Sequence, residues 1–141
     1  MEQNERMVAY QKAINQEPKK EWVKEYAESG AKYIPIGILQ TQLDEIYDEW
    51  GCVSSSTMTE KNIVYDMTIW YIHPVTGLRI EKSGSGAMKI DGDINQLAPI
   101  AEAFSFKNAC KKIGKRFGAD LNREEVLEFT GNRNKAKLVG Q

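Results

Sequence analysis

The run NIVYDMTIWYIH, residues 62–73, most limits what this chain can become. Its β-branched and aromatic side chains suit a pleated, half-buried surface better than a helix. It closes on His73-Pro74-Val75-Thr76-Gly77, a turn, after which Leu78 to Ser83 returns as a second strand. Upstream, Cys52 to Glu60 is rich in Ser, Thr and Val, as a solvated strand would be. Strands joined by short connections pair antiparallel, so this region predicts at least a three-stranded antiparallel meander. Gly84-Ser85-Gly86 then breaks the pattern, and Asp91-Gly92-Asp93 marks another loop.

Helical periods flank the meander. Residues 2–29 predict one or two short helices. Pro18 opens the second, Trp22, Val23 and Tyr26 form its apolar stripe, and Ser29-Gly30 ends it. Pro35 drives Ile34 toward an extended conformation. From Ile38 to Trp50 the apolar residues Leu39, Leu43, Ile46, Tyr47 and Trp50 share a helical face, with Gly51 in the C-terminal glycine position. A long helix is expected from Pro99 to Phe117, with proline at its start and Gly118 beyond its end. Phe106, Ala109, Cys110, Ile113 and Phe117 cluster on one face, and Lys107, Lys111, Lys112, Lys115 and Arg116 spread over the other half. Gly114 inside that helix costs about 1 kcal/mol relative to alanine and allows a close approach. Asn122 and Glu125 read as a capping box for a short helix ending at Gly131, before a basic tail.

A chain of 141 residues predicts one domain. Its 41% hydrophobic content excludes a disordered segment, and no apolar run approaches the roughly 18 residues of a membrane span. The N-terminus lacks a signal-peptide apolar centre, which predicts a soluble protein kept in the cytoplasm. Cys52 and Cys110 are too few for a disulfide framework and lack metal-ligand spacing, so they read as reduced core or near-core residues.

The net charge of −1 hides an asymmetry. Residues 1–60 hold eleven acidic and six basic side chains, a net of −5, and residues 61–141 hold nine acidic and thirteen basic, a net of +4. Five cations fall between Lys107 and Arg116 with no acid among them. Such a run is either the solvated back of an amphipathic helix or a phosphate-binding face. A solvated face normally mixes signs, because like charges at i,i+4 repel by a few tenths of a kcal/mol. Phosphate contacts, by contrast, release condensed counterions and so favour an all-cationic stripe.

Two further features admit a functional and a plain structural reading. Arg79, Lys82 and Lys89 surround Gly84-Ser85-Gly86, where glycines let backbone approach an anion closely; a lone Gly-x-Gly is more often a bulge or bend. It is neither a P-loop nor a dinucleotide fingerprint. Tyr65, Trp70 and Tyr71 offer faces for stacking on unpaired bases or packing for a half-buried strand. The one histidine, His73, has no partner at ligand spacing, and no Gly-x-Ser-x-Gly elbow or Cys/His pair suggests a nucleophile. Asp91 and Asp93 read as turn residues. The chain therefore reads as a non-enzyme that needs no cofactor.

The order helix, Trp50, meander, Gly84-Ser85-Gly86 and a basic helix closing on Phe117-Gly118 resembles the Rad-fifty-two-like family of single-strand annealing proteins, including phage recombination proteins of the Sak type. The likeness rests on residues 103–118, AFSFKNACKKIGKRFG, where Lys111, Lys112, Lys115, Phe117 and Gly118 match the family's helix motif, and more weakly on Tyr33-Ile34-Pro35 through Leu43 to Trp50. It implies an α+β subunit with a three-stranded β-meander packed on a long basic α-helix, assembled into a ring or helical filament. It implies an N-terminal helical segment at 1–30, the annealing core at 31–121, and a short C-terminal helix and basic tail at 122–141. It further implies an ATP-independent protein of recombination and repair, of bacteriophage or bacterial origin. Such a protein binds single-stranded DNA through Lys111, Lys112 and Lys115, with Lys107, Arg116, Arg79, Lys82 and Lys89 around them. A single-strand-binding protein or exonuclease is the expected partner. The family's additional N-terminal cation has no match between Tyr33 and Trp50, so either another cation, such as Lys32 or Arg79, takes that role or the groove is less positive here. The rival readings are a single-stranded DNA or RNA binder that does not anneal, and an interaction protein docking its basic helix on an acidic partner.

Overall fold

The structure is a computed structural model and describes residues 2–122. It is α+β, with three α-helices and a three-stranded antiparallel sheet. Helix α1 spans Gln3–Ile14 and a 3-10 turn follows at Lys20–Trp22. The short strands β1 (Lys24–Glu25) and β2 (Lys32–Tyr33) pair as a hairpin, and α2 spans Ile36–Ile46. The main sheet comprises β3 (Trp50–Met58), β4 (Asn62–Ile72) and β5 (Arg79–Lys89) in the order β3-β4-β5. Helix α3 spans Ile94–Cys110, and a 3-10 turn follows at Lys115–Phe117.

The expected meander is present, with Trp50 opposite Tyr71 and Met58 opposite Ile63 on one side of β4, and Ile72 opposite Arg79 on the other. Alternation divides the sheet into two faces. Ile63, Met67, Ile69 and Tyr71 of β4 are buried on the face under α3, joined by Phe106, Ala109 and Cys110 of the helix. Leu39, Leu43 and Tyr47 close the core from α2, and Tyr10 and Ile14 from α1. The five apolar residues Phe106, Ala109, Cys110, Ile113 and Phe117 are all buried, as their spacing required.

Several boundaries differ from expectation. The helix foreseen after Pro18 is instead a 3-10 turn and strand β1, because Gly30, at φ 73°, reverses the chain so that β2 pairs back on β1. Helix α2 stops at Ile46, and Gly51 lies in β3 rather than capping a helix. A Cβ there would stand 2.8 Å from the Trp70 indole across the strand pair, so only glycine leaves that ring its place. Gly84 and Gly86 do not interrupt the sheet; β5 runs through both. They let α3 lie directly on the strand. A Cβ at Gly86 would come within 2.5 Å of the Ser105 nitrogen, and one at Gly84 would overlap the Ala109 and Asn108 backbone. Cys110 is buried, and Cys52 is exposed, opposite buried Ile69.

Helix α3 begins earlier and ends earlier than its proline and glycine implied. Asp93 caps it, its carboxylate accepting from the Asn95 nitrogen at 3.0 Å, so Pro99 falls inside the first turns. Of the five cations assigned to the helix, only Lys107 belongs to it; Lys111, Lys112, Lys115 and Arg116 lie beyond its last residue. Gly114 is therefore not a helix-interior glycine. It stands against the last turn of α1, where a Cβ would overlap the Ile14 carbonyl. The capping box at Asn122 and Glu125, the helix ending at Gly131 and the basic tail reach beyond the described residues. Among the described residues no helix is long and apolar enough to cross a membrane.

Candidate nucleic-acid interface

The eight cations singled out in the sequence separate into distinct environments. Lys107 projects from α3 into an aromatic enclosure. Its Nζ lies 4.4 Å from the ring centroid of Tyr33, 5.5 Å from Tyr26 and 5.7 Å from Phe104, and donates to the Tyr26 hydroxyl at 3.1 Å. Tyr26 and Tyr33, at the two arms of the β1–β2 hairpin, are stacked with centroids 4.2 Å apart. Burial holds the Lys107 ammonium below the ordinary lysine pKa, a shift that neighbouring Tyr33 only partly offsets. Lys111, one turn on, is also held low, first by burial and then by the charge of Lys107.

Arg116 serves the fold. Its Nε donates to Oε1 of buried Gln42 at 2.7 Å, and its Nη2 lies 3.4 Å from the Glu45 carboxylate. Only 15% of its side chain is exposed. Removing the guanidinium would strand the Gln42 oxygen without a donor. Lys115 faces Asp120 at 3.6 Å and keeps 44% of its side chain exposed. Lys112 is exposed, with no ion pair among the described residues.

The three cations of the hairpin region are not brought to this place together. Arg79 lies on the sheet face away from α3, 4.6 Å over the Trp70 ring and 3.4 Å from Glu81. Lys82 sits opposite Ile69 on the helix side of the sheet, and Lys89 sits at the far end of β5 opposite Asn62. The expected cluster around Gly84-Ser85-Gly86 is thus spread along the strand and over both faces, since alternation sends neighbouring side chains opposite ways. Tyr71 is buried and stacks on Tyr47 at 4.1 Å, so it packs the core rather than offering a face to a base.

What the fold does gather is a cleft between the β1–β2 hairpin and the end of α3. Lys32, Lys107 and Lys111 line it with Tyr26, Tyr33 and Phe104, and its volume is about 160 Å³. A second cleft, of about 580 Å³, adjoins it across Lys32 and is lined by Lys20, Lys32 and Lys115, with Glu17, Glu25 and Asp120. Lys32 is common to both. Its backbone is pinned by Asn122, whose side chain accepts from the Lys32 nitrogen at 3.1 Å and donates to the Lys32 carbonyl at 3.0 Å. Its side chain stays exposed.

Of the two residues considered for the missing N-terminal cation, Lys32 is the one that joins Lys107 and Lys111; Arg79 lies elsewhere. Sequence reasoning did not find Lys20 or the Tyr26–Tyr33 pair. The signal for the latter was present, two short polar-apolar arms about Ser29-Gly30, but the residues before that turn also fit a helical stripe. Chemically, the arrangement offers ammonium groups beside aromatic faces with no converging carboxylates or nucleophile in the first cleft. That suits binding a polyanion with exposed bases. No protein-family model matches the chain, and no curated protein does.

Proposed function

We propose that this chain binds single-stranded DNA and anneals complementary strands without ATP, as a subunit of a ring or filament. The observation that carries the reading is the convergence of Lys32, Lys107 and Lys111 on one aromatic-lined cleft, with Lys115 on the cleft beside it. Lys32, Lys111, Lys112 and Lys115 hold the phosphates; Lys107 and Arg116 shape the site. Lysines reading phosphates leave base edges free, which is what pairing with a second strand requires.

Four phosphate contacts on a single strand correspond to a log–log salt slope of about −2.8, a modest site for one chain. Repetition around an assembly raises the affinity through effective concentration. The test is a fluorescence annealing assay with complementary oligonucleotides. The reading requires pairing to accelerate in the absence of nucleotide and to slow when Lys111, Lys112 and Lys115 are replaced by alanine. Binding without acceleration would assign the chain to strand protection alone. No salt-dependent DNA binding would leave the cleft to an acidic protein partner.

A further inference from the structure

The free edge of β3 is unlike any other part of the sheet. Residues 50–58, WGCVSSSTM, contain no charged side chain and no proline. The pairing with β4 is one-for-one along the whole strand, without a bulge. The opposite edge, β5, carries Arg79, Glu81, Lys82 and Lys89. Exposed edge strands ordinarily hold charges, proline or bulges because their unpaired backbone groups recruit other strands. The β5 edge has such protection and the β3 edge has none.

No described strand pairs with its outer backbone; α3 reaches it through Glu102, whose carboxylate accepts from the Ser54 hydroxyl at 3.0 Å. Helix α3 lies across β4 and β5, and every residue from Cys52 to Met58 is exposed. Val53 and Met58 retain 64% and 62% exposure. The backbone polarity of the edge follows from the ladder. The Glu49 carbonyl accepts from the Ile72 nitrogen at 3.1 Å, and the Thr59 nitrogen donates to the Asn62 carbonyl at 2.8 Å. Odd-numbered residues between them therefore turn their N–H and C=O groups to β4, and even-numbered residues turn theirs outward.

We infer that this edge pairs with β3 of a second copy, antiparallel and about Ser54, joining two sheets into one of six strands. In that register Ser54 faces Ser54 of the other copy, Cys52 faces its Ser56, and Trp50 faces its Met58. The even-numbered residues face one another in the hydrogen-bonded pairs, so the outward donors and acceptors of both strands meet, and the symmetric pairing leaves none of them unmatched along the strand. A second copy is the occupant because this strand is complementary to itself. Self-pairing brings together no charged side chain of the strand itself, and the Glu102 carboxylate beside it already accepts from the Ser54 hydroxyl at 3.0 Å, whereas β5 paired with its own copy would bring charged side chains to the seam. The contact is isologous and closes on two chains, so it is separate from the head-to-tail contact that a ring needs. It stands whether or not the chain binds nucleic acid.

The test is a covalent trap in the full chain. Facing residues that exchange two hydrogen bonds have Cα atoms about 5.5 Å apart, within disulfide range. Ser56→Cys therefore places a thiol opposite Cys52 of the second copy. Mild oxidation should give a dimer, and nothing larger, on a denaturing non-reducing gel, while the unsubstituted chain gives none. Adding Ser54→Pro should abolish the crosslink with the circular dichroism unchanged, because the Ser54 nitrogen points away from β4 and its loss costs no ladder bond. Absence of the dimer, a ladder of larger covalent species, or a crosslink that survives Ser54→Pro in a folded chain would overturn the pairing.

Discussion

Lys107 Nζ stands 4.4 Å from the ring centroid of Tyr33, and this contact ties the last turn of α3 to the β1–β2 hairpin. A half-buried cation over an aromatic face is worth about 1 kcal/mol, and the lysine stem adds packing. Tyr33→Ala should therefore lower unfolding free energy in urea by about 1–2 kcal/mol. Lys107→Ala should leave the salt slope of DNA binding nearly unchanged, because its ammonium faces rings rather than solvent. A fall in slope equal to that caused by Lys112→Ala would place Lys107 on the phosphates after all.

Gly86 and the Ser105 nitrogen set the spacing of helix on sheet. Gly86→Ala forces a methyl to within 2.5 Å of that nitrogen and 2.6 Å of the Ala101 carbonyl, both backbone atoms that cannot turn aside. Overpacking of this kind costs about 1–3 kcal/mol. Denaturant melts should show the loss at both Gly86 and Gly84. Gly92→Ala, with open space around it, should show little.

Tyr47 makes the fold sensitive to alkali. Its hydroxyl lies 2.5 Å from that of Tyr10, and its ring stacks on Tyr71. Burial, followed by the Tyr10 hydrogen bond, pushes the Tyr47 pKa well above the ordinary tyrosine value of 10.0. Tyr71 is raised as well, chiefly by burial. A group with a raised folded-state pKa favours folding below its unfolded pKa and loses that contribution as pH rises. Thermal stability should thus fall above pH 10.0, and Tyr47→Phe should flatten the fall. An unchanged alkaline profile in Tyr47→Phe would contradict the assignment.

His73 acts at the acid end. Its Nδ1 accepts from the nitrogens of Val75 and Thr76 at 3.1 and 3.3 Å, and its ring lies 4.4 Å from Tyr10. Burial lowers its pKa below 6.5. The unfolded chain then binds the proton more readily, so stability rises with pH until 6.5 and levels off. Melts between pH 4 and 7 should show this rise, and His73→Leu should remove its share at a constant cost in turn stability.

The meander and the buried face of α3 were legible because a period of 2 and a period near 3.6 were each sustained over many residues. The cationic face was not. Its reading assumed that Lys107 and Arg116 lay on one continuous helix, but the helix ends at Cys110 and Arg116 turns inward to Gln42 and Glu45. Gly114 misled because its reason is tertiary: α1 passes over it. The same holds for Gly51, Gly84 and Gly86, which look like breaks in the sequence and are close approaches in the fold. Lys32 was legible only as a substitute for a missing cation. Its place beside Lys111 depends on a hairpin of two-residue strands, too short for any periodicity to reveal.

In the proposed function Lys32, Lys111, Lys112 and Lys115 act together as one phosphate-binding surface. The direct measurement is the affinity of the chain for a poly-thymidine oligonucleotide as a function of salt, with and without alanine at those four positions. The log–log slope should be about −2.8 per chain and collapse toward zero in the quadruple variant, while Arg79→Ala leaves it in place. Salt-independent binding, or a slope that the four substitutions do not change, would contradict it.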